Sequence, residues 1–446
     1  MKKKVGILSY SLTNHQTMLD LAKKLKKKNK INFFYASDLN INYNFKNVEF
    51  IKLYIKEKTE KNLLFEDNTN KNNFKNLIKK NNFLNNLINI KNYLSVFFSV
   101  IIKYVYTYIK FKKYSTNLLF VPGDRENIFE LCIIKFVLNK QGKIFIYPSA
   151  LAASPDLLVL WRKKHIINDK KFIKKFPLQI YKYKKKNYSF FGKNYTKIYK
   201  LLKILPKNPW TFASSENKFL ILNNNISANY YIDLGTHKEN ILFYKSEEYE
   251  ELDKIYKNYK LNKKNFYRKL NLLKNRKNLF INLPNWHEHG MLTKENETKY
   301  FTDLFDRLKK LKVHQKFNLI VGLHPRQKKN DYLYLQKKYK VKIIAKKALK
   351  IFPFMDFFLA YGGTSIIIDS INLKIPVLFF DNFKGIRKFA IKFKKKNNLI
   401  LKIYKLDQIN LKNINKLIKK NKNHINLNHN KLPTRNIEHI LDDSDL

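Results

Sequence analysis

Residues 356–381 read Asp-Phe-Phe-Leu-Ala-Tyr-Gly-Gly-Thr-Ser-Ile-Ile-Ile-Asp-Ser-Ile-Asn-Leu-Lys-Ile-Pro-Val-Leu-Phe-Phe-Asp. No other stretch limits the fold so sharply. Phe357–Tyr361 and the run after Pro376 are short and uninterruptedly apolar, the pattern of strands buried on both faces. Between them lie paired glycines, a Thr-Ser pair and a short apolar helix. Strands joined this way run parallel, and a parallel sheet needs helices over both faces. The same alternation recurs along the chain. Strands are expected at Val5–Ser9, Asn32–Ala36, Val48–Leu53, Leu118–Val121, Lys143–Tyr147, Phe219–Leu222, Asn278–Leu283 and Phe317–Leu323, with helices at Thr17–Lys28, Ile128–Leu138, Ala228–Leu234 and Leu252–Leu273. Residues 54–90 and 162–210 carry no firm periodicity, and 236–250 read as a connector. With 446 residues, two α/β domains are expected.

The turns of this pattern carry its chemistry. The chain has only ten glycines, and Gly362 and Gly363 stand side by side. Glycine lets a ligand approach main-chain N–H groups, and Thr364 or Ser365 can cap the helix that follows. Asp369 falls one helical turn after Ser365, where a carboxylate can accept hydrogen bonds from a ribose or sugar hydroxyl. The expectation is a nucleotide-diphosphate site at the carboxyl edge of a parallel sheet. Phe317–Leu323 runs into His324-Pro325-Arg326 at that same edge, and arginine can bind phosphate in a bidentate way. Asn278–Leu283 runs into a third loop, Pro284 to Gly290, with Trp286, His287, Glu288 and His289. His287, Glu288 and His289 have no third ligand at a zinc spacing, so no metal is expected there and the loop is read as lining a substrate.

In the first half, Leu118–Val121 ends in Pro122-Gly123-Asp124-Arg125-Glu126. A carboxylate at a strand end can take a proton from a hydroxyl, which makes Asp124 the first candidate base and Arg125 a candidate substrate contact. His15, in the first strand-to-helix loop, is a rival base, and Glu288 a third. A capping aspartate with a surface ion pair is the competing reading of Asp124.

The formal charge of +56 resembles that of a nucleic-acid binder, but only eight of the 90 basic residues are arginine and the lysines form no single arm. A solvated basic surface is the simpler reading, and nucleic acid is not the expected partner. The excess would still favour anionic nucleotides or an anionic membrane surface. Leu94–Ile109 is the most apolar stretch, 16 residues with Lys103 inside it, against the roughly 20 that span a bilayer. Two readings stay open: a core-facing helix, or an interfacial helix with Phe97, Phe98, Tyr104, Tyr106 and Tyr108 beside Lys110, Lys112 and Lys113. The single cysteine, Cys132, excludes an internal disulfide and fits a reducing compartment. A cytoplasmic protein, or one peripheral at the inner face of the cytoplasmic membrane, is expected.

His-Pro-Arg after one strand, the Gly-Gly-Thr-Ser turn, an acidic residue one turn on and the Lys-Ile-Pro-Val strand together resemble the GT-B superfamily of nucleotide-sugar enzymes. Within it, the CDP-glycerol glycerophosphotransferases and the non-hydrolysing UDP-GlcNAc 2-epimerases are similar. Gly123-Asp124-Arg125 with Glu130 looks like the Gly-Asp-Arg loop of the epimerases, and Tyr231, Leu234, Gly235, Glu239, Asn240 and Ile241 resemble the segment leaving the first domain in both. The resemblance implies two Rossmann-like domains, 1–240 on the acceptor side and 241–446 on the donor side, with an interdomain cleft. It implies that His324 and Arg326 bind the diphosphate, that Gly363, Thr364 and Ser365 hold it, that Asp369 binds ribose or sugar, and that Asp124 matches the epimerase acid/base aspartate. Epimerases have Gln-Glu-Glu after the glycines, where this chain has Thr364-Ser365-Ile366, and a glycine-rich loop where it has Pro148 to Ala153. Transfer of a sugar or polyol phosphate from a nucleotide sugar or CDP-polyol to a glycan or lipid-linked acceptor, without a cofactor, is therefore expected ahead of epimerisation. A non-enzymatic polyanion-binding protein is the third reading.

Overall fold

The structure is a computed structural model that describes residues 3–10, 12–35, 43–53, 82–148, 154–161, 165–287, 292–324, 327–344, 348–361, 366–380, 399–419 and 435–441. Two compact units make up the chain. The first holds Met1–Ser149, Leu158–Ile221 and Leu234–Leu242; the second holds Ala150–Leu157, Leu222–Asp233 and Phe243–Leu446. They interleave in sequence: Leu222–Asp233, short of the expected boundary at 240, belongs to the second unit, and Leu234–Leu242 returns to the first.

The first unit is built on strands β1 (Lys4–Ser9), β2 (Lys30–Tyr35), β3 (Val48–Lys52), β4 (Leu118–Val121), β5 (Lys143–Ile146), β8 (Lys218–Leu222) and β9 (Ile241–Phe243), in the order β3-β2-β1-β4-β5-β8-β9. The pairs from β3 to β8 are parallel. Their central residues are buried because helices cover both faces, which is why these strands read as apolar runs rather than alternating ones. β9 lies within the expected connector; a three-residue Ile-Leu-Phe run is too short to announce a strand until a neighbouring edge is there to pair with it.

Residues 162–210, which had no sequence signal, contain a hairpin of β6 (Ile180–Tyr183) and β7 (Lys186–Ser189), besides helices Lys170–Lys175 and Lys193–Leu201. Lys184 and Lys185 turn the hairpin with φ of 44° and 62°. Two-residue turns of this handedness normally announce themselves by Asn-Gly or Gly. A Lys-Lys turn carries no such mark.

The apolar stretch around Leu94–Ile109 belongs to a helix of 32 residues, Asn82–Lys113. Of this, Ile90–Lys113 is long and apolar enough to cross a membrane by length and composition, so the 16-residue estimate was too short. One face packs on helices Ile128–Leu138 and Lys193–Leu201, with Val100, Lys103, Thr107 and Phe111 buried. The opposite face is not core: Ile90, Leu94, Phe98, Ile102, Val105, Tyr108 and Ile109 are exposed. The core-facing reading holds for half of the helix circumference only.

The second unit repeats the plan with β10 (Lys277–Asn282), β11 (Phe317–Gly322), β12 (Lys342–Ile344), β13 (Phe357–Tyr361), β14 (Val377–Phe380) and β15 (Ile400–Ile403), all parallel in the order β12-β11-β10-β13-β14-β15. The helical stretch expected over Leu252–Leu273 is two helices, Glu247–Lys257 and Tyr259–Leu270, because Asn258 leaves helical geometry at φ −115° and ψ 38°. Gly322, at the end of β11, is needed for packing. The Phe280 ring lies in the space a Cβ would take, with its Cε2 2.6 Å from that point. Phe352 and Phe358 pack against that ring, each 5.4 Å away between centroids and 5.5 Å from each other.

Gly322→Ala should therefore lower stability by ~1–3 kcal/mol through overpacking. Urea denaturation of the two proteins measures this. A variant as stable as the parent would mean that Phe280 has room to move.

Candidate functional site

In both sheets the strand order reverses direction once, between β1 and β4 and between β10 and β13. Crossovers leave such a point in opposite directions, so the loops at the carboxyl ends of these strands diverge and leave a crevice. In the second sheet Asn282 of β10 is level with Gly322 of β11 and with Ala360 of β13. The loops that follow the three strands therefore start side by side.

A buried polar chain ties two of these loops together. Glu297, 1% exposed on the helix Lys294–Lys310, accepts the backbone N–H of His287 at 2.9 Å and the Tyr332 hydroxyl at 3.1 Å. Tyr332 in turn accepts Gln327 Nε2 at 2.8 Å, and the same nitrogen donates to Pro284 O at 3.1 Å. Gln327 Oε1 accepts the His324 backbone N–H at 2.7 Å. Burial and the Glu297 carboxylate both hold the Tyr332 phenol well above its usual pKa, so it stays a neutral donor. At the end of the chain His324 Nδ1 lies 3.3 Å from Asn285 Nδ2. With that amide nitrogen donating, Nδ1 is the acceptor and the ring proton sits on Nε2. The buried Asn285 Oδ1 has no hydrogen-bond partner among the described residues. Trp286 anchors the β10 loop from below, with its ring 5.6 Å from that of Tyr361 at the end of β13.

Of the expected site residues in these loops, His324 is the one that lies among the described residues, with its backbone held by Gln327 and its ring beside Asn285. Arg326, Gly362, Gly363, Thr364, Ser365, Glu288 and His289 lie outside the described residues. Asp369, on the seven-residue helix Ile366–Asn372, belongs to a different set. Its Oδ1 accepts the Tyr249 hydroxyl at 2.9 Å, and Tyr249 accepts Asn224 Nδ2 at 3.1 Å. Burial pushes its carboxyl up to about 7; the Tyr249 hydrogen bond opposes that rise and the Glu248 charge adds to it.

The first unit has its own loop cluster, after β1 and β4. Glu130, fully buried, accepts the backbone N–H groups of Arg125, Glu126 and Asn127 on one oxygen at 3.2, 3.1 and 3.4 Å. Asn127 accepts Phe129 N at 2.9 Å, which completes a capping box and folds Pro122 to Asn127 into a tight loop. Burial outweighs these donors and lifts Glu130 to about 8. Asp124 is not a surface pair. It is 1% exposed, and its Oδ2 holds Lys218 Nζ at 3.3 Å and Ala213 N at 3.2 Å. Arg125 is also 1% exposed, with its guanidinium 4.1 Å over the Phe212 ring and Nη1 donating to Pro209 O at 3.2 Å. Both side chains face the interior of the first unit.

His15 is differently placed. Ser9 Oγ donates its single proton to Asn14 Oδ1 at 3.1 Å, so it accepts from His15 Nδ1 at 3.1 Å. That leaves Nε2 as the unprotonated nitrogen, and burial lowers the imidazole pKa and favours this neutral form. Asn285, Glu297, Gln327, Tyr332 and Tyr249 were not singled out from sequence, and Glu130 only as part of the Gly-Asp-Arg motif. The Asn127-x-x-Glu130 spacing marks Glu130 as a capping residue; most of the others depend on partners distant in the chain.

No family model and no curated protein matches this sequence. Solved structures do match. The glycosyltransferase SnogD from Streptomyces nogalater aligns with a TM-score of 0.50 at 8% identity, over 100% of this chain and 100% of that one. The wall teichoic acid polymerase TagF aligns at 0.48 and 12% identity over 99% and 87% of the two chains, and the UDP-GlcNAc 2-epimerase from Methanocaldococcus jannaschii at 0.43 and 13% over 99% and 99%. This chain has the GT-B fold. Two Rossmann-like α/β units are what the sequence resemblance implied, and each unit carries polar loops at its switch point.

Asp369 makes the second unit sensitive to pH. An unfolded carboxyl titrates near 3.9 and the folded one near 7, so the folded state keeps its proton over that window. Stability is accordingly lost as pH rises from about 4 to about 7. Asp369→Asn keeps an acceptor for Tyr249 and removes the titration. Melting curves should show the variant gaining on the parent between these values and holding a constant advantage above them. An unchanging difference across the range would mean that Asp369 titrates normally.

Proposed function

We propose that this GT-B chain is a nucleotide-sugar-dependent transferase of surface polysaccharide synthesis. It takes a nucleotide sugar or CDP-polyol and moves the sugar or polyol phosphate to a hydroxyl of a glycan or lipid-linked acceptor. The observation that carries this reading is His324. It stands at the switch-point edge of the second sheet, with its backbone fixed by Gln327 and its ring by Asn285. A donor N–H so held suits the oxygens of a diphosphate. Arg326 beside it in sequence supplies the lasting positive charge, and Gly362, Gly363, Thr364 and Ser365 supply main-chain and hydroxyl donors. His289 of the Pro284 to Gly290 segment is a further candidate contact to the substrate.

His15 is the preferred base in this reading. Its Nε2 lone pair is defined by the Ser9 hydrogen bond, and burial favours the neutral ring. The base removes the acceptor proton as the hydroxyl oxygen bonds to the donor, and the nucleotide leaves as a phosphate anion stabilised by the cations and N–H groups around it. Asp124 and Arg125 act on this chemistry through the shape of the β4 loop, since their charges are engaged inside the unit. Glu288 remains the alternative base on the donor side.

Calorimetry tests the donor half. His324→Ala should weaken nucleotide-diphosphate binding by ~1.5–3 kcal/mol, about 10- to 100-fold, without unfolding the protein. Unchanged affinity would remove the phosphate site. Single-stranded DNA bound with steep salt dependence and without nucleotide preference would replace the whole reading.

The base is tested by turnover. His15→Gln should lower it by ~10²–10⁴-fold while donor binding stays intact. Incubation with UDP-GlcNAc alone, followed by NMR, tests the reaction class. Conversion to the 2-epimer, or solvent deuterium at C2, would make the protein an epimerase.

A further inference from the structure

Helix Asn82–Lys113 carries a surface that the transfer chemistry does not use. Ile90, Leu94, Phe98, Ile102, Val105 and Ile109 step along it by three or four residues, so they share one face, and Tyr108 lies beside them. Ile90, Phe98 and Ile109 are 56%, 57% and 60% exposed. Single exposed apolar residues are ordinary, but a continuous stripe of seven on one helix marks an interaction surface.

The charges on the same helix identify what it meets. Residues 90–113 contain five lysines and no aspartate or glutamate. Lys91 stands at one end of the stripe, and Lys110, Lys112 and Lys113 at the other. Lys103, the one lysine between them, is buried on the opposite face. An apolar centre with cationic ends matches an anionic bilayer: the side chains enter the acyl boundary and the ammonium groups reach the headgroups. Tyr108, 48% exposed beside the stripe, suits the same depth, since a phenol has an apolar body and a polar tip. A second copy is a poorer match. Two-fold pairing of this helix sets lysine ends against lysine ends, or each against an apolar middle, with no carboxylate to answer them. A membrane-spanning course is also disfavoured. Val100, Lys103, Thr107 and Phe111 pack on two helices of the first unit, which tie the helix along the surface of that unit.

We propose that this face of helix Asn82–Lys113 seats the protein on an anionic lipid bilayer, with the helix lying in the interfacial plane. The inference stands apart from the proposed transferase activity, and its test uses no substrate.

Full-length protein is sedimented with vesicles of phosphatidylcholine alone and of phosphatidylcholine mixed with phosphatidylglycerol, at low and at high salt. High salt screens the diffuse attraction of a chain with a formal charge of +56 and isolates apolar insertion. The protein should bind the mixed vesicles more tightly and stay partly bound at high salt. Phe98→Ser/Ile102→Ser/Ile109→Ser should lower the high-salt affinity by ~10-fold or more, and Lys112→Glu/Lys113→Glu should lower the low-salt affinity. A Phe98→Trp variant, which keeps the face apolar, should shift its emission to the blue with mixed vesicles. Equal binding by parent and triple serine variant, or no shift from Phe98→Trp, would overturn the proposal. So would light scattering that shows a dimeric parent and a monomeric triple variant, since a second copy would then own the face. Resistance of the bound protein to carbonate extraction would overturn it in favour of a spanning helix.

Discussion

Strand β10 is hydrogen-bonded along both edges to parallel neighbours, β11 on one side and β13 on the other, and the chemistry of the second unit follows from that placement. Parallel neighbours need crossovers, and crossovers leaving in opposite directions separate the loops above the strand. Because Asn282, Gly322 and Ala360 are level, three segments far apart in sequence begin their loops at one edge. β1 has the same position between β2 and β4 in the first unit. One steric and hydrogen-bonding rule, applied twice, produces both loop clusters.

What turns a cluster of loops into a candidate site is the treatment of its buried polar groups. Loops have few backbone partners of their own, so side chains must supply them. Glu297 and Glu130 do this in the two units. Glu297 accepts one N–H and one hydroxyl, and the hydroxyl carries the order on through Gln327 to His324. Glu130 accepts three consecutive N–H groups on one oxygen and closes the β4 loop on itself. The first arrangement ends on a side chain with its own ring donor; the second ends inside, with Asp124 and Arg125 turned toward Lys218 and Phe212. Similar local chemistry thus orders a loop at the sheet edge in one unit and closes a structural clasp in the other.

Charge and apolar surface also divide by location. The excess of lysine belongs mainly to the solvated surface, where it adds potential without specifying a fold. Lys218 and Lys103 are the instructive cases because they are buried. Lys218 faces the Asp124 carboxylate, and Lys103 lies along the packed side of the long helix. On the outer side of that helix the apolar residues outnumber what the core can take, and the lysines withdraw to its ends.

The sequence by itself determined what depends on neighbours in the chain. Uninterrupted apolar runs defined β4 and β13 to the residue, and helix Ile128–Leu138 with them, because burial on both faces and end-capping leave local marks. Strand-helix alternation gave the parallel α/β class, and the turn motifs pointed to the edge where His324 lies. Tertiary structure alone decided the rest. The Lys184-Lys185 hairpin, strand β9 and the break at Asn258 exist because surrounding elements hold them, not because their residues ask for them. Asp124 and Arg125 read as an exposed acid and cation, yet they point inward, since Lys218, Ala213, Phe212 and Pro209 reach them from more than eighty residues away. Tyr249 meets Asp369 across 120 residues of chain. Periodicity records which face of an element is buried, and it holds no record of which distant side chain will fill the space opposite.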